Sequence, residues 1–86
     1  MNVQAEVSLY PLRSAELSEP VERFCQVLRD FNLRPETGKM STLLCGELDH
    51  VFLALKRAVQ EVGRDYQIVL AVKISNACPE DLASGQ

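Results

Sequence analysis

The chain has 86 residues, enough for one domain and too few for a second core. Its 47% hydrophobic and 24% charged residues are the composition of a globular protein and exclude disorder. The net charge of -3 comes from 9 basic and 12 acidic residues scattered without a block of one sign, so nucleic-acid binding by phosphate neutralisation has no basic face to start from.

No segment approaches the roughly 18 consecutive apolar residues that span a bilayer. The start, MNVQAEVSLYP, has neither the basic opening nor the long apolar centre of a leader. A cytoplasmic protein without membrane contact is expected. Cys25, Cys45 and Cys78 are odd in number, widely spaced and without a C-x-x-C pair, which argues against a disulfide framework or a zinc site. His50, the only histidine, falls at the start of a helix, where a solvated role is expected over ligation. No metal or cofactor is expected.

In chain order, Val3, Ala5, Val7 and Leu9 alternate with Gln4, Glu6, Ser8 and Tyr10, the period-two pattern of a strand with one face on the core. Pro11 is expected to end it, since proline cannot donate to a ladder. Ser18 is the expected N-cap of a first helix, with Glu19 and Pro20 in its first turn. Val21, Phe24, Cys25, Val27, Leu28 and Phe31 give it one apolar stripe. Asn32 is expected to stop the helix in the left-handed conformation, folding Leu33 back on Leu28.

A short edge strand is expected from Pro35 to Lys39, then a tight turn near Gly38 and a strand from Met40 to Glu47. Asp49 is the expected cap of a second helix, with Leu48 stapled on Leu53. The predicted inner face of this helix is Val51, Phe52, Leu55, Ala58, Val59 and Val62, and Gly63 closes it. Gln67 to Ser75 reads as the last strand, turning Ile68, Leu70, Val72 and Ile74 to one side. The remainder, from residue 77, has no periodicity and is expected to be a flexible C-terminal tail beyond a single domain of residues 1–76.

The order β-α-β-β-α-β is the split βαβ or ferredoxin-like α+β plan. Right-handed crossovers then set the first and third strands in the centre of a four-stranded antiparallel sheet with both helices on one face. The expected core is Val3, Val7, Phe24, Leu28, Phe52, Leu55, Ile68, Leu70 and Val72. The opposite sheet face would show Gln4, Glu6, Ser8, Tyr10, Val69, Ala71, Lys73 and Ser75, a mixed surface suited to packing against a second copy. A homodimer or homotetramer is expected.

Enzyme chemistry finds little support. No histidine partners a serine or cysteine in a recognisable arrangement, and Gly38 and Gly46 do not make a phosphate loop. The plan also serves RNA-binding domains, but the aromatic pair those place on central strands is missing.

The segments QAEVSLYPL, KMSTLLCGELDHVFLALKRA and VKIS resemble the YkoF-type thiamine/hydroxymethylpyrimidine-binding family and the related small MTH-type proteins. The likeness runs over about 75 residues, in order. It implies a ferredoxin-like fold, assembly of at least two such domains, no catalysis, and binding of thiamine or its pyrimidine part. Some members fuse two copies in one chain; here the pair would form between chains.

An aminopyrimidine offers a donor beside ring-nitrogen acceptors and a flat π-face, so its site needs hydroxyls or amides beside an aromatic or thioether surface. Gln4, Ser8, Ser41 and Thr42 are candidates for the polar contacts, and Tyr10 and Met40 for the surface. Glu47 or Glu6 would balance the thiazolium charge. Each has a plainer reading: Ser41 and Thr42 as turn and strand residues, Tyr10 as an interface aromatic, the two acids as solvated. Gly46 fits a bulge or a close helix approach better than a ligand contact. Leu43 and Cys45 alternate with Leu44, so parity leaves open whether Ser41 or Thr42 faces inward. The competing function is an oligomeric interaction domain with no small ligand.

Overall fold

The computed structural model describes residues 1–39 and 41–77. Met40 and the expected tail from residue 78 lie outside the described residues, and Cys78 with them. The elements are β1 (Asn2–Leu12), α1 (Ser18–Asp30), β2 (Glu36–Thr37), β3 (Thr42–Glu47), α2 (Leu48–Val62) and β4 (Gln67–Ser75). The strands form one antiparallel sheet in the order β2-β3-β1-β4. Both helices pack on one face of it, where Val3, Ala5 and Val7 of β1 and Leu44 of β3 meet Phe24 and Leu28 of α1 and Val51, Ala54, Leu55, Ala58 and Val62 of α2. This is the ferredoxin-like plan expected from the sequence. Among the described residues no helix is long and apolar enough to cross a membrane.

The ladder has a definite parity. The Leu48 N–H donates to the Met1 carbonyl at 2.9 Å, which makes the facing pair Asn2 and Glu47 a non-hydrogen-bonded one. No bulge interrupts either register of β1. Its odd-numbered residues therefore turn their backbone groups to β3, and its even-numbered ones to β4. That parity explains why β1 runs past Pro11 to Leu12, where the sequence suggested a stop. The pairing with β3 begins only at Val7 and Thr42, so the nitrogen of Pro11 turns to a side with no β3 strand and costs the sheet no bond. Arg13, with φ 53°, turns the chain away instead.

The start of α1 also departs from expectation. Leu17 occupies the cap position and makes no side-chain bond. The donors Ser18 N–H and Glu19 N–H are met by Oε1 of Glu16, at 2.9 and 3.3 Å, so a longer side chain from two residues upstream does what Ser18 was expected to do. These bonds hold the Glu16 carboxyl below its ordinary pKa, the Glu19 N–H contributing most. The far end follows expectation. Asn32 takes φ 62°, Asn32 N–H donates to Arg29 and Leu33 N–H to Leu28, at 2.8 and 3.0 Å, the bond pair of a Schellman end.

For α2 the cap is Glu47, whose Oε1 accepts Asp49 N–H at 3.0 Å and His50 N–H at 3.2 Å. Asp49 lies within the first turn and is not the cap. The inner stripe is Val51, Ala54, Leu55, Ala58 and Val62. Phe52, predicted for the core, is 51% exposed, because the small Ala54 and Ala58 at that stripe draw the helix close and leave no room for a ring. Leu53 is exposed too, and Leu48 is the first residue of the helix rather than the residue before its cap, so the two do not stand in the places of a hydrophobic staple. Gly46 shows how close the packing is: a Cβ there would stand 2.9 Å from Leu33 Cδ2 and 3.1 Å from Val51 Cγ2. Ile68 and Leu70 pack half-buried on the core. Val72, predicted as core, is 36% exposed and Ile74 37%, since β4 is an edge strand whose second half lies beyond the helix cover.

Candidate functional site

Because β1 has 11 residues and β3 only 6, the sheet has a notch beside Ser8 and Leu9 where β3 has yet to begin. The β2–β3 turn and the first half of α1 wall it in. The resulting cavity of about 240 Å³ is lined by Ser8, Ser41 and Thr42, with Thr37, Gly38 and Lys39 from the turn, over a floor that includes Val7, Val21, Phe24 and Cys25. Three of the hydroxyl residues singled out in the sequence thus meet at one place. Thr37 Oγ1 and Cys25 Sγ, 3.8 Å apart, join the turn to α1 at its side.

The parity of β3, open in the sequence, is settled by burial. Thr42 and Leu44 turn inward while Leu43 is exposed, so Ser41 belongs to the open face and Thr42, 7% exposed, to the helix side. The cavity reaches both because it sits at the end of the strand. On the open face Ser41 Oγ donates to Glu6 Oε2 at 3.2 Å, and Lys73 Nζ lies 3.9 Å from Glu6 Oε1. Glu6 thereby joins the rim of the cavity to the centre of the open sheet. Tyr10, one inward–outward repeat beyond Ser8 on the same face, is 52% exposed and pairs with Val69 of β4.

The remaining candidates are elsewhere. Gln4 lines a separate recess of about 570 Å³ with Asn32, Arg34, Glu36, Leu43 and Cys45, roughly 13 Å along the strand from Ser8. Glu47 stands at the other end of β3, about 20 Å from Ser41, with its carboxylate engaged as the cap of α2. Met40 is outside the described residues. What the sequence reading missed is the floor and Lys39. Val21, Phe24 and Cys25 were read as part of one apolar stripe, and only the unequal strand lengths would have shown that part of that stripe faces a gap.

Chemically, hydroxyls over an apolar floor suit a small flat heterocycle with polar edges. The ammonium of Lys39 disfavours a cation inside, whereas Glu6 beside the rim favours one just outside it. Among the described residues no cluster of histidine, cysteine and acids is arranged to hold a metal ion.

A model of the family described as thiamine-binding protein matches residues 5–79. The chain belongs to the thiamine-binding protein family. Within that family's range of sequences, it is 38% identical over 74 residues to UPF0045 protein MJ1052 of Methanocaldococcus jannaschii, an alignment covering 84% of this chain and 74% of the relative. The crystal structure of MJ1052 superposes with a TM-score of 0.80 over 96% of this chain and 94% of that one, at 33% identity. A domain of unknown function from Bacillus cereus gives a TM-score of 0.74 at 27% identity, over 86% and 74% of the two chains. A candidate thiamine biosynthesis/salvage protein of Thermotoga maritima matches over 100% of both chains with a TM-score of 0.81 at 16% identity, a likeness of fold. The family resemblance carried by QAEVSLYPL and KMSTLLCGELDHVFLALKRA is therefore correct.

Proposed function

We propose that this protein binds thiamine or its hydroxymethylpyrimidine part without turning it over, as an oligomer. The observation that carries the reading is the meeting of Ser8, Ser41 and Thr42 at one cavity over an apolar floor, in a chain of the thiamine-binding protein family. At about 240 Å³ the cavity is smaller than the roughly 300 Å³ at which ligand pockets usually begin. It suits the pyrimidine ring alone. The thiazolium of thiamine then projects past Ser41 toward Glu6, whose carboxylate balances its charge, and Tyr10 offers a face along the same row. Gln4 and Glu47 stand too far off to join this pose within one chain. Met40, between Lys39 and Ser41 in the sequence, keeps its proposed role as a thioether surface, and residues 1–76 form the binding domain.

The mixed open face also supports self-association, which would cover Leu43 and Tyr10. The competing reading, an oligomeric interaction domain with no small ligand, draws on the same exposed face and predicts the same assembly. Only ligand binding separates the two. In isothermal titration, thiamine and hydroxymethylpyrimidine are expected to give saturable heat. Thr42→Val and Ser41→Ala should each weaken binding by about 1 to 3 kcal/mol through loss of a buried hydrogen bond, and Tyr10→Ala should weaken thiamine more than the pyrimidine. Absence of heat and of any thermal shift with both compounds would reject the ligand and leave the interaction domain standing.

A further inference from the structure

The recess that holds Gln4 has a chemistry of its own. Leu33 is buried, and Arg34 precedes Pro35, which biases it to an extended backbone. Arg34 and Glu36 are both exposed and, two residues apart, fall together on the side away from Leu33. The register places Glu36 beside Leu43 and Gln4 beside Cys45. Counting back from Glu36 brings Arg34 level with Cys45, although β2 has not yet begun there. The Cα atoms of Arg34 and Glu36 thus stand about 7 Å apart along the sheet edge, the first on the level of Gln4 and the second on that of Leu43. With Asn32, whose left-handed turn starts this segment, and Leu44, they line a space of about 570 Å³, within the roughly 300 to 1,000 Å³ of small-molecule sites.

Among the described residues, no ion pair or hydrogen bond engages the side chain of Arg34, Glu36 or Gln4. Arg23, Arg29, Arg64 and Lys73, by contrast, each reach a carboxylate. Opposite charges that share a recess without closing on each other suit a ligand that carries both. A purely anionic molecule would meet its own sign at Glu36, and a purely cationic one at Arg34. In a zwitterion the carboxylate takes two parallel N–H donors of the guanidinium, the ammonium donates to Glu36, and the carboxamides of Gln4 and Asn32 serve either end. Leu43 and Leu44 give the space an apolar wall, so the ligand needs a nonpolar group beside its charges. We propose that this recess is a second binding site, for a free α-amino acid with an aliphatic side chain.

The recess lies outside the thiamine pose, so failure of this proposal would leave that reading untouched. L-leucine is the probe, beside isocaproate, which lacks its ammonium, and isoamylamine, which lacks its carboxylate. Titrations followed by amide nuclear magnetic resonance should show leucine saturating in the millimolar range, with shifts at the side-chain amides of Gln4 and Asn32. Each single-charge analogue should bind about tenfold more weakly, for want of one charge-assisted bond. Arg34→Gln should bring leucine down to the affinity of isoamylamine, and Glu36→Gln to that of isocaproate. Both variants should keep the native spectrum, because both residues are exposed. Absence of leucine-induced shifts at Gln4 and Asn32, equal binding of the three compounds by the wild type, or an equal loss for all three in either variant would overturn the proposal. So would tighter binding of phosphoethanolamine, which carries both charges and no apolar group.

Discussion

At Glu47 a single carboxylate ends one element and begins the next. Its Oε1 takes two backbone donors at 3.0 and 3.2 Å, and Glu47→Ala should therefore lower the unfolding free energy by about 1 kcal/mol in urea titration. Thiamine affinity of the folded fraction should not change, because the residue stands at the far end of β3 from the cavity. Glu16 is the counterpart for α1. Its pKa lies below the ordinary 4.5, so its contribution is present above that value and fades as pH falls through the folded-state pKa. The difference in stability between wild type and Glu16→Gln, measured from about pH 6 to pH 3, should narrow as the carboxylate is protonated. Neither cap was legible in the sequence. The reading favoured short polar residues, Ser18 and Asp49, which lie inside the first turns, whereas the donors are met by glutamates upstream of them, Glu16 before the cap position of α1 and Glu47 at that of α2.

Among the elements, β4 was read to the residue and β1 nearly so, because alternation over them admits one phase, whereas β2, expected from Pro35 to Lys39, spans only Glu36–Thr37 and β3 begins at Thr42. Helix α2 was read with its stripe slightly rotated. A pattern count rewards a large ring, so it placed Phe52 inside, but the interior is set by how near the helix can come, and Ala54 and Ala58 decide that. Phe52→Ser should accordingly change stability by less than about 0.5 kcal/mol, as surface substitutions do, while Leu28→Ala, fully buried in α1, should cost about 2 to 5 kcal/mol. Equilibrium denaturation of the two variants side by side checks the pair of values. The notch in the sheet was the least legible feature. It follows from where β3 begins, which depends on the turn after Gly38, and no periodicity marks the difference between a strand residue and the residue before it.

Across the whole molecule, α1 and α2 are tied by Arg23, which reaches Glu61 at 3.1 Å and Asp65 at 2.9 Å, while Tyr66 Oη donates to Glu19 Oε2 at 2.6 Å. The bond to Glu19 raises the Tyr66 pKa, so this link is intact below the tyrosine's ordinary value of 10.0 and is lost as pH rises through the raised one. The order β2-β3-β1-β4 has a different kind of consequence, one in time. The central strand β1 is made first and its longest partner, β4, is made last: Gln4 pairs with Ser75 and Leu12 with Gln67. Nearly the whole chain must be looped before that ladder can zip, an entropic cost met before any return. On the ribosome, where synthesis adds about 5 to 20 residues per second, β1 waits several seconds for its partner with its β4-facing side bare, and the sheet closes only when the last strand has cleared the exit tunnel.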